Sequence, residues 1–345
     1  GDLAASVSLP QDVVAALHAS TSSLEVEMAL GCSGNFDYEC PEWDHVVQLF
    51  VCCGAPEDCQ ACPQLIWAEP PRDVGSGGGG TGRGRVYTAS SSDDLKCGPE
   101  IGRWMTPFRR RVGRWLTDVS VMKGALVQNL TSNGGDPTCD FRMRSVTWAA
   151  TGDHFWYPKL TLHLHSQAEE GGRGNGISTE PTVISLFDSK TFDRHFNDDR
   201  LPFIFRTPEK LFSAHVRALI TGHGFDNNGC AEFCAGITNH FVVNGQEFML
   251  DFPLAGTQLG CTEQVVNGSE PNEHGTWFFG RNGWCDGQDV RPWTIDISTL
   301  LKAPGDVNII EYAGLYQGDT PDPTSNPGQI ILSSYLVLET FSGTR

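Results

Sequence analysis

With 345 residues the chain is long enough to bury a large core, and its length favours two domains. A net charge of −18 argues against nucleic acid and against an anionic membrane, both of which need a basic surface. The twelve cysteines, an even number, point to disulfides in an oxidising compartment and so to a secreted protein, and no apolar run approaches the length of a membrane span.

In chain order, no secretory leader is readable at the start, and Gly1 is taken to begin a processed or trimmed chain. Residues Gln11 to Ala19 form the best short helix candidate. Thereafter apolar residues alternate, or come in short runs rich in β-branched and aromatic side chains: His45 to Val51, Lys159 to His165, Thr182 to Phe187, His240 to Asn244, Thr294 to Ile297 and Gln329 to Leu332. Period-two runs separated by turn residues, with 39 glycines and 20 prolines available for the turns, predict an all-β chain of sandwich type. The segment Asp73 to Arg85 is glycine-rich but lacks the lysine and the strand–helix context of a phosphate loop, so it reads as a surface insertion. A second glycine-rich segment, Gln167 to Gly176, reads as a linker. The expected organisation is an N-terminal domain over 1–166, a linker over 167–180 and a C-terminal domain over 181–345.

Cys59-Gln60-Ala61-Cys62 has the spacing of half a zinc site or a redox pair, but a zinc site needs a second soft pair, and the adjacent Cys52 and Cys53 do not supply one. Two glycosylation sequons begin at Asn129 and Asn267. Cys230 and Cys234 are close enough to close a very small ring around an acid, Glu232.

Five motifs occur in order: Cys40-Pro-Glu-Trp43-Asp44, Ile101-Gly-Arg-Trp-Met-Thr-Pro107, Thr147-Trp148, Cys230-Ala-Glu232-Phe-Cys234, and Gly275-Thr-Trp277 running on to Arg281-Asn-Gly-Trp284-Cys285. Together they resemble the peptide-N-glycosidase F family. The resemblance implies two adjacent eight-stranded antiparallel jelly rolls with an active site in the cleft between them. It also implies disulfides Cys32–Cys40, Cys230–Cys234 and Cys261–Cys285. The pairing of Cys52, Cys53, Cys59, Cys62, Cys97 and Cys139 stays open. The implied activity is hydrolysis of the glycan-bearing asparagine amide of N-glycosylated peptides or proteins, without a cofactor. Asp44 and Glu232 would be the catalytic acids, and Arg281, Trp43, Trp148, Trp277 and Trp284 the substrate-binding residues. One position departs from the family pattern: Val146 stands where the family has a third functional glutamate.

That chemistry suits the residue types. Amide hydrolysis needs an activated water, a stabilised oxyanion and a proton for the departing nitrogen, and two carboxyls in a partly buried cleft can divide the proton tasks. Read without the resemblance, Asp44 is a turn residue, Glu232 caps a disulfide loop, Arg281 is an ion-pair partner and each tryptophan is core. Two other functions stay open. One is a non-catalytic glycan-binding or structural protein on the same scaffold, which the loss of the glutamate at Val146 would suit. The other is a copper monooxygenase-like protein: His163 and His165 share one face of a strand, with His154, His215, His223 and His240 as further candidate ligands.

Overall fold

The computed structural model describes residues 2–54, 59–62, 97–110, 113–128, 130, 137–146, 155–165, 178–224, 230–272, 275–323 and 327–342. The glycine-rich segment 73–85, Asn129, Trp148 and His154 lie outside the described residues, as does most of the expected linker.

The helix expected near the start is present as α1 (Gln11–His18), entered through Pro10. The first half carries β1 (Asp2–Ser8), β2 (Ser23–Cys32), β3 (Val46–Cys53), β4 (Glu100–Met105), β5 (Gly113–Asp118), β6 (Thr138–Val146) and β7 (Trp156–His165). They form two sheets, ordered β1-β6-β3-β4 and β5-β2-β7, so seven strands rather than eight are found here among the described residues. The pleat explains their packing. Along β2, Leu24, Val26, Met28 and Leu30 are buried, while the residues between them are half-exposed. These side chains meet Val47, Leu49 and Val51 of β3, together with Ile101 and Trp104 of β4, in one core between the sheets.

The second half carries β8 (Thr179–Thr191), β9 (Phe203–Arg206), β10 (Leu211–His223), β11 (Ile237–Val243), β12 (Gln246–Asp251), β13 (Trp293–Asp296), β14 (Val307–Tyr316) and β15 (Gln329–Phe341). β8 begins two residues inside the stretch expected to be linker, because Thr179 and Glu180 pair with Phe341 and Thr340 at the end of β15. The sheets run β13-β10-β15-β8 and β12-β11-β14-β9. First and last strands are neighbours, and successive strands change sheet except at the β11–β12 hairpin, which is the connectivity of a jelly roll. That hairpin turns on Asn244-Gly245, both at positive φ, as a type I′ turn requires. Phe187, Phe192, Phe196, Phe241 and Tyr312 fill its core.

The halves are joined through β3 and β4, whose residues are buried on both faces. One face lies on the first core. The other meets the second half through Val46, Met105, Leu219, Trp284, Val290 and Ile331. A polar network crosses the same junction. Glu100 receives two parallel bonds from Arg103, Nε to Oε1 at 2.8 Å and Nη2 to Oε2 at 2.9 Å. Arg103 Nη1 continues to Thr221 Oγ1 at 2.9 Å and to the Ile331 carbonyl at 2.7 Å. Tyr335 Oη accepts the Glu100 N–H at 2.7 Å, and Arg217 Nη2 donates to the Ile101 carbonyl at 2.9 Å. A strand-like stretch of the second half also lies along the edge of β4: the Met105 N–H bonds the Gln288 carbonyl and the Val290 N–H the Arg103 carbonyl, each at 2.8 Å.

Glu100 and Arg103 have no exposed side-chain surface, so removing one partner leaves the other charged and unpaired. Arg103→Met should cost about 3–5 kcal/mol, read from urea unfolding. A loss well under 1 kcal/mol would mean that this pair does not hold the junction together.

Candidate active site

Asp44 lies two residues before β3, just after the Cys32–Cys40 bridge. Its neighbour His45 is locked to the residue following β4: the His45 N–H donates to Thr106 Oγ1 at 2.8 Å, and the Thr106 N–H to the His45 carbonyl at 3.0 Å. The His45 ring is buried, which pulls its pKa to about 4 and keeps it neutral, and its Nε2 faces the Glu42 carbonyl at 3.0 Å. Trp43 has φ +72°, a left-handed conformation that costs a bulky residue steric strain. In that conformation the residue is 45 % exposed, with the ring edge-on to Phe108.

Glu232 comes from the other half, in the loop between β10 and β11, inside the Cys230–Cys234 ring. The ring presses on the end of β10, where a Cβ at Gly222 would lie 1.9 Å from the Ala231 carbonyl oxygen; only glycine fits. Asn282 ties the ring down. Its N–H donates to the Glu232 carbonyl at 2.9 Å, and its Nδ2 to the Cys234 carbonyl at 2.8 Å. The Glu232 carboxylate is bonded at both oxygens, by the Gly224 N–H to Oε2 at 2.8 Å and by Arg281 Nε to Oε1 at 3.1 Å.

Arg281 is buried and lies over two rings, 4.6 Å from the centre of Trp284 and 5.0 Å from that of Phe233. Its Nη2 donates to Thr276 Oγ1 at 3.3 Å, and its Nη1 lies 3.6 Å from Oδ1 of a further buried acid, Asp286. Asp44 lies within electrostatic reach of the same guanidinium. One cation is therefore shared by three carboxyls drawn from both halves of the chain. Burial raises all three above the ordinary carboxyl range. Glu232 is pushed to about 8 by desolvation, against the pull of Arg281 and with some help from Asp44. Desolvation pushes Asp286 to about 7, again opposed by Arg281 and assisted by Asp44. Asp44 is raised by desolvation, against Arg281. Such a cluster can hold protons at neutral pH and move them, and separated proton affinities among neighbouring carboxyls suit a division into acid and base.

Models of peptide-N-glycosidase F match both halves: the N-terminal model over residues 4–162 and the C-terminal model over residues 191–337. The chain belongs to the peptide-N-glycosidase F family. A curated relative, the peptide-N(4)-(N-acetyl-β-D-glucosaminyl)asparagine amidase F of Elizabethkingia miricola, is 27% identical over 136 residues, 38% of this chain; the match spans only 35% of the relative's length. A crystal structure of peptide-N(4)-(N-acetyl-β-D-glucosaminyl)asparagine amidase superposes with a TM-score of 0.63 at 16% identity, covering 100% of this chain and 91% of that one. The glycosylasparaginase PNGase F from Flavobacterium meningosepticum gives a TM-score of 0.60 at 16% identity, over 98% of this chain and 89% of that one. The fold is thus the all-β double jelly roll of the family.

Within that family fold, Asp44, Glu232 and Arg281 come together, and Trp43 is exposed beside Asp44 in the chain. Trp277 is half-buried, with its ring edge-on to Phe278. Trp284, expected to present a face to substrate, has another place. It is 4 % exposed, its Nε1 donates to the Gly222 carbonyl at 2.7 Å, and its ring stacks on His223 and under Arg281, so it supports the arginine. Val146 ends β6 opposite Val46, with its side chain outside the described residues. Asn267 is exposed, while Ser269 of its sequon is buried.

The His163 and His165 rings lie parallel on β7, and each Nε2 meets a glutamate of β2: Glu27 at 2.8 Å and Glu25 at 2.9 Å. Among the described residues no group of three or more His, Cys, Asp or Glu could hold a metal ion. The cysteines form six bridges: Cys32–Cys40, Cys52–Cys59, Cys53–Cys139, Cys62–Cys97, Cys230–Cys234 and Cys261–Cys285. Cys59 and Cys62 therefore belong to separate bridges and are neither a redox pair nor half of a zinc site. Asp286 went unread in the sequence. The available signal was an acid directly following Cys285 in the motif that carries Arg281.

Proposed function

We propose that this protein is a secreted amidase that hydrolyses the side-chain amide of glycosylated asparagine, giving aspartate and a glycosylamine. The observation that carries the reading is the convergence of Asp44 and Glu232, one from each half, on the buried guanidinium of Arg281. In this reading Asp44 is at the scissile linkage and takes a proton from the attacking water. The new C–O bond forms at the amide carbon, Arg281 favours the negative charge that develops, and the C–N bond breaks as the nitrogen takes up a proton. Glu232, with its pKa raised to about 8, still carries a proton at neutral pH and is the group to deliver it, directly or through a water. Trp43 and Trp277 are the candidate faces for the sugar rings next to the linkage. Six disulfides suit an extracellular setting.

The test is mass spectrometry of a defined N-glycopeptide incubated with the protein over a range of pH. Release of the whole glycan, with asparagine becoming aspartate, is the expected result. An unchanged glycopeptide at every pH would end the amidase reading. Glycopeptide held but not cleaved would support the second reading, a glycan-binding scaffold, which the valine at position 146 favours.

A further inference from the structure

Asp286 is not among the acids that the proposed reaction uses, yet it is built into the same cluster. Its side chain is 3% exposed. Its Oδ1 makes no hydrogen bond among the described residues and lies 3.6 Å from Arg281 Nη1. The backbone around it is fixed on both sides. The Asp286 carbonyl accepts the Glu270 N–H at 2.8 Å. The next carbonyl, of Gly287, accepts the Trp115 indole N–H at 2.6 Å, which fastens the loop to the first half. A carboxyl held this rigidly, with one oxygen unbonded and aimed at a buried cation, is not there to fill space, because an apolar side chain would cost less to bury.

We propose that Asp286 is a third functional carboxyl of this site, a positioning residue that holds Arg281 at Nη1 while Glu232 holds it at Nε. The proposal deepens the amidase reading and rests on it for its catalytic meaning. The consequence is competition. Glu232 and Asp286 lie against the same guanidinium, so the proposal implies that an anionic Asp286 opposes ionisation of Glu232 by its like charge, as Asp44 does for both. Asp286 therefore keeps Glu232 protonated to higher pH than Arg281 and Glu232 alone would allow. The groups facing Asp286 are Arg281 on its own loop, Asp44 from the stretch before β3, and the Asn272 side chain, which favours its ionised form. His223, stacked on Trp284, is held neutral by burial and adds no charge.

The test is Asp286→Asn, which preserves shape and removes the charge. Two readouts are taken on the whole protein. One is the pH profile of kcat/KM on the glycopeptide. The other is a carboxyl ¹³C titration of Glu232 in the absence of substrate, assigned with Glu232→Gln. The expected result is that Glu232 loses its proton roughly one pH unit lower in the variant, with the alkaline limb of the profile moving with it. A Glu232 titration identical to that of the parent would overturn the proposal, since a residue that only packs would leave it unmoved. If the parent cleaves no glycopeptide, the amidase reading fails, and the substrate-free titration still decides the role of Asp286. Should the asparagine variant not fold, Asp286→Ser, smaller and also uncharged, is expected to give the same downward shift, and no shift there overturns the proposal equally.

Discussion

Asp44→Asn should lose about 10²–10⁴-fold in turnover, the usual worth of a general acid–base group, while remaining at least as stable as the parent. The two halves of that expectation have separate physical causes. Asparagine has nearly the shape of aspartate but neither takes nor gives a proton at working pH, so the step assigned to Asp44 is lost. Stability should not follow, because the charge at position 44 is under tension. The carboxyl is raised above its ordinary value by desolvation, and it shares one guanidinium with two other acids. A carboxyl raised in the folded state favours folding at low pH and opposes it above its unfolded value, so at neutral pH its replacement by a neutral amide relieves the fold. The backbone anchors are untouched, since the His45–Thr106 bonds use main chain and a threonine hydroxyl. Single-turnover cleavage and urea unfolding measure the two effects. Cleavage at the parental rate would remove Asp44 from the mechanism. A parallel collapse of stability would show that it serves the fold.

How far the chain could be read in advance depended on the range of the interaction. The strand runs read in the sequence fall on β3, β7, β8, β11, β13 and β15, whereas the alternation of β2 and β5 and the turn at Asn244-Gly245 were equally plain signals that were not used. β4 was legible only as part of a motif. Its Glu100 and Arg103 look like surface charges until the second half covers them, and nothing local says that it will. The site has the same character. Asp44 and Glu232 meet across a junction of the two halves that includes a stretch after Cys285 lying along the edge of β4, a long-range pairing with no sequence signature of its own. Trp284 was placed at the substrate through the motif that carries Arg281, but exposure is a property of the packed molecule, and Trp284 is buried. A further clue was present and went unused. Adjacent strand residues point to opposite faces, so Cys52 and Cys53 had to find different partners; Cys53 bridges across to Cys139, its register partner on β6, and Cys52 bridges to Cys59.

Arg281→Met should abolish detectable cleavage and destabilise the protein increasingly as the pH rises past about 7, by about 3–5 kcal/mol once the neighbouring acids are ionised, with the cost shrinking as the pH is lowered. Methionine retains much of the apolar contact with Trp284 and Phe233, so the change isolates the charge. In the parent, Glu232 at about 8 and Asp286 at about 7 already lie above their ordinary values of 4.5 and 3.8. Between each ordinary value and its folded one, the folded protein binds more protons than the unfolded chain. Stability therefore falls as pH rises through that window, and is fullest below it. The guanidinium limits this fall, because it lowers both carboxyls. Without it they rise further and the window widens upward, so the two curves run parallel while both acids stay protonated and part above about pH 7, where the parent's levels off and the variant's goes on falling. Urea unfolding of both proteins from about pH 5 to about pH 9 gives the comparison. Curves that converge toward pH 5 would show that Arg281 stabilises by neutralising acids. A loss of equal size at every pH would mean instead that its stacking on the two rings, and its bonds to Thr276 and the neighbouring carbonyls, are what the fold requires, and the shared-cation account of the site would have to be given up.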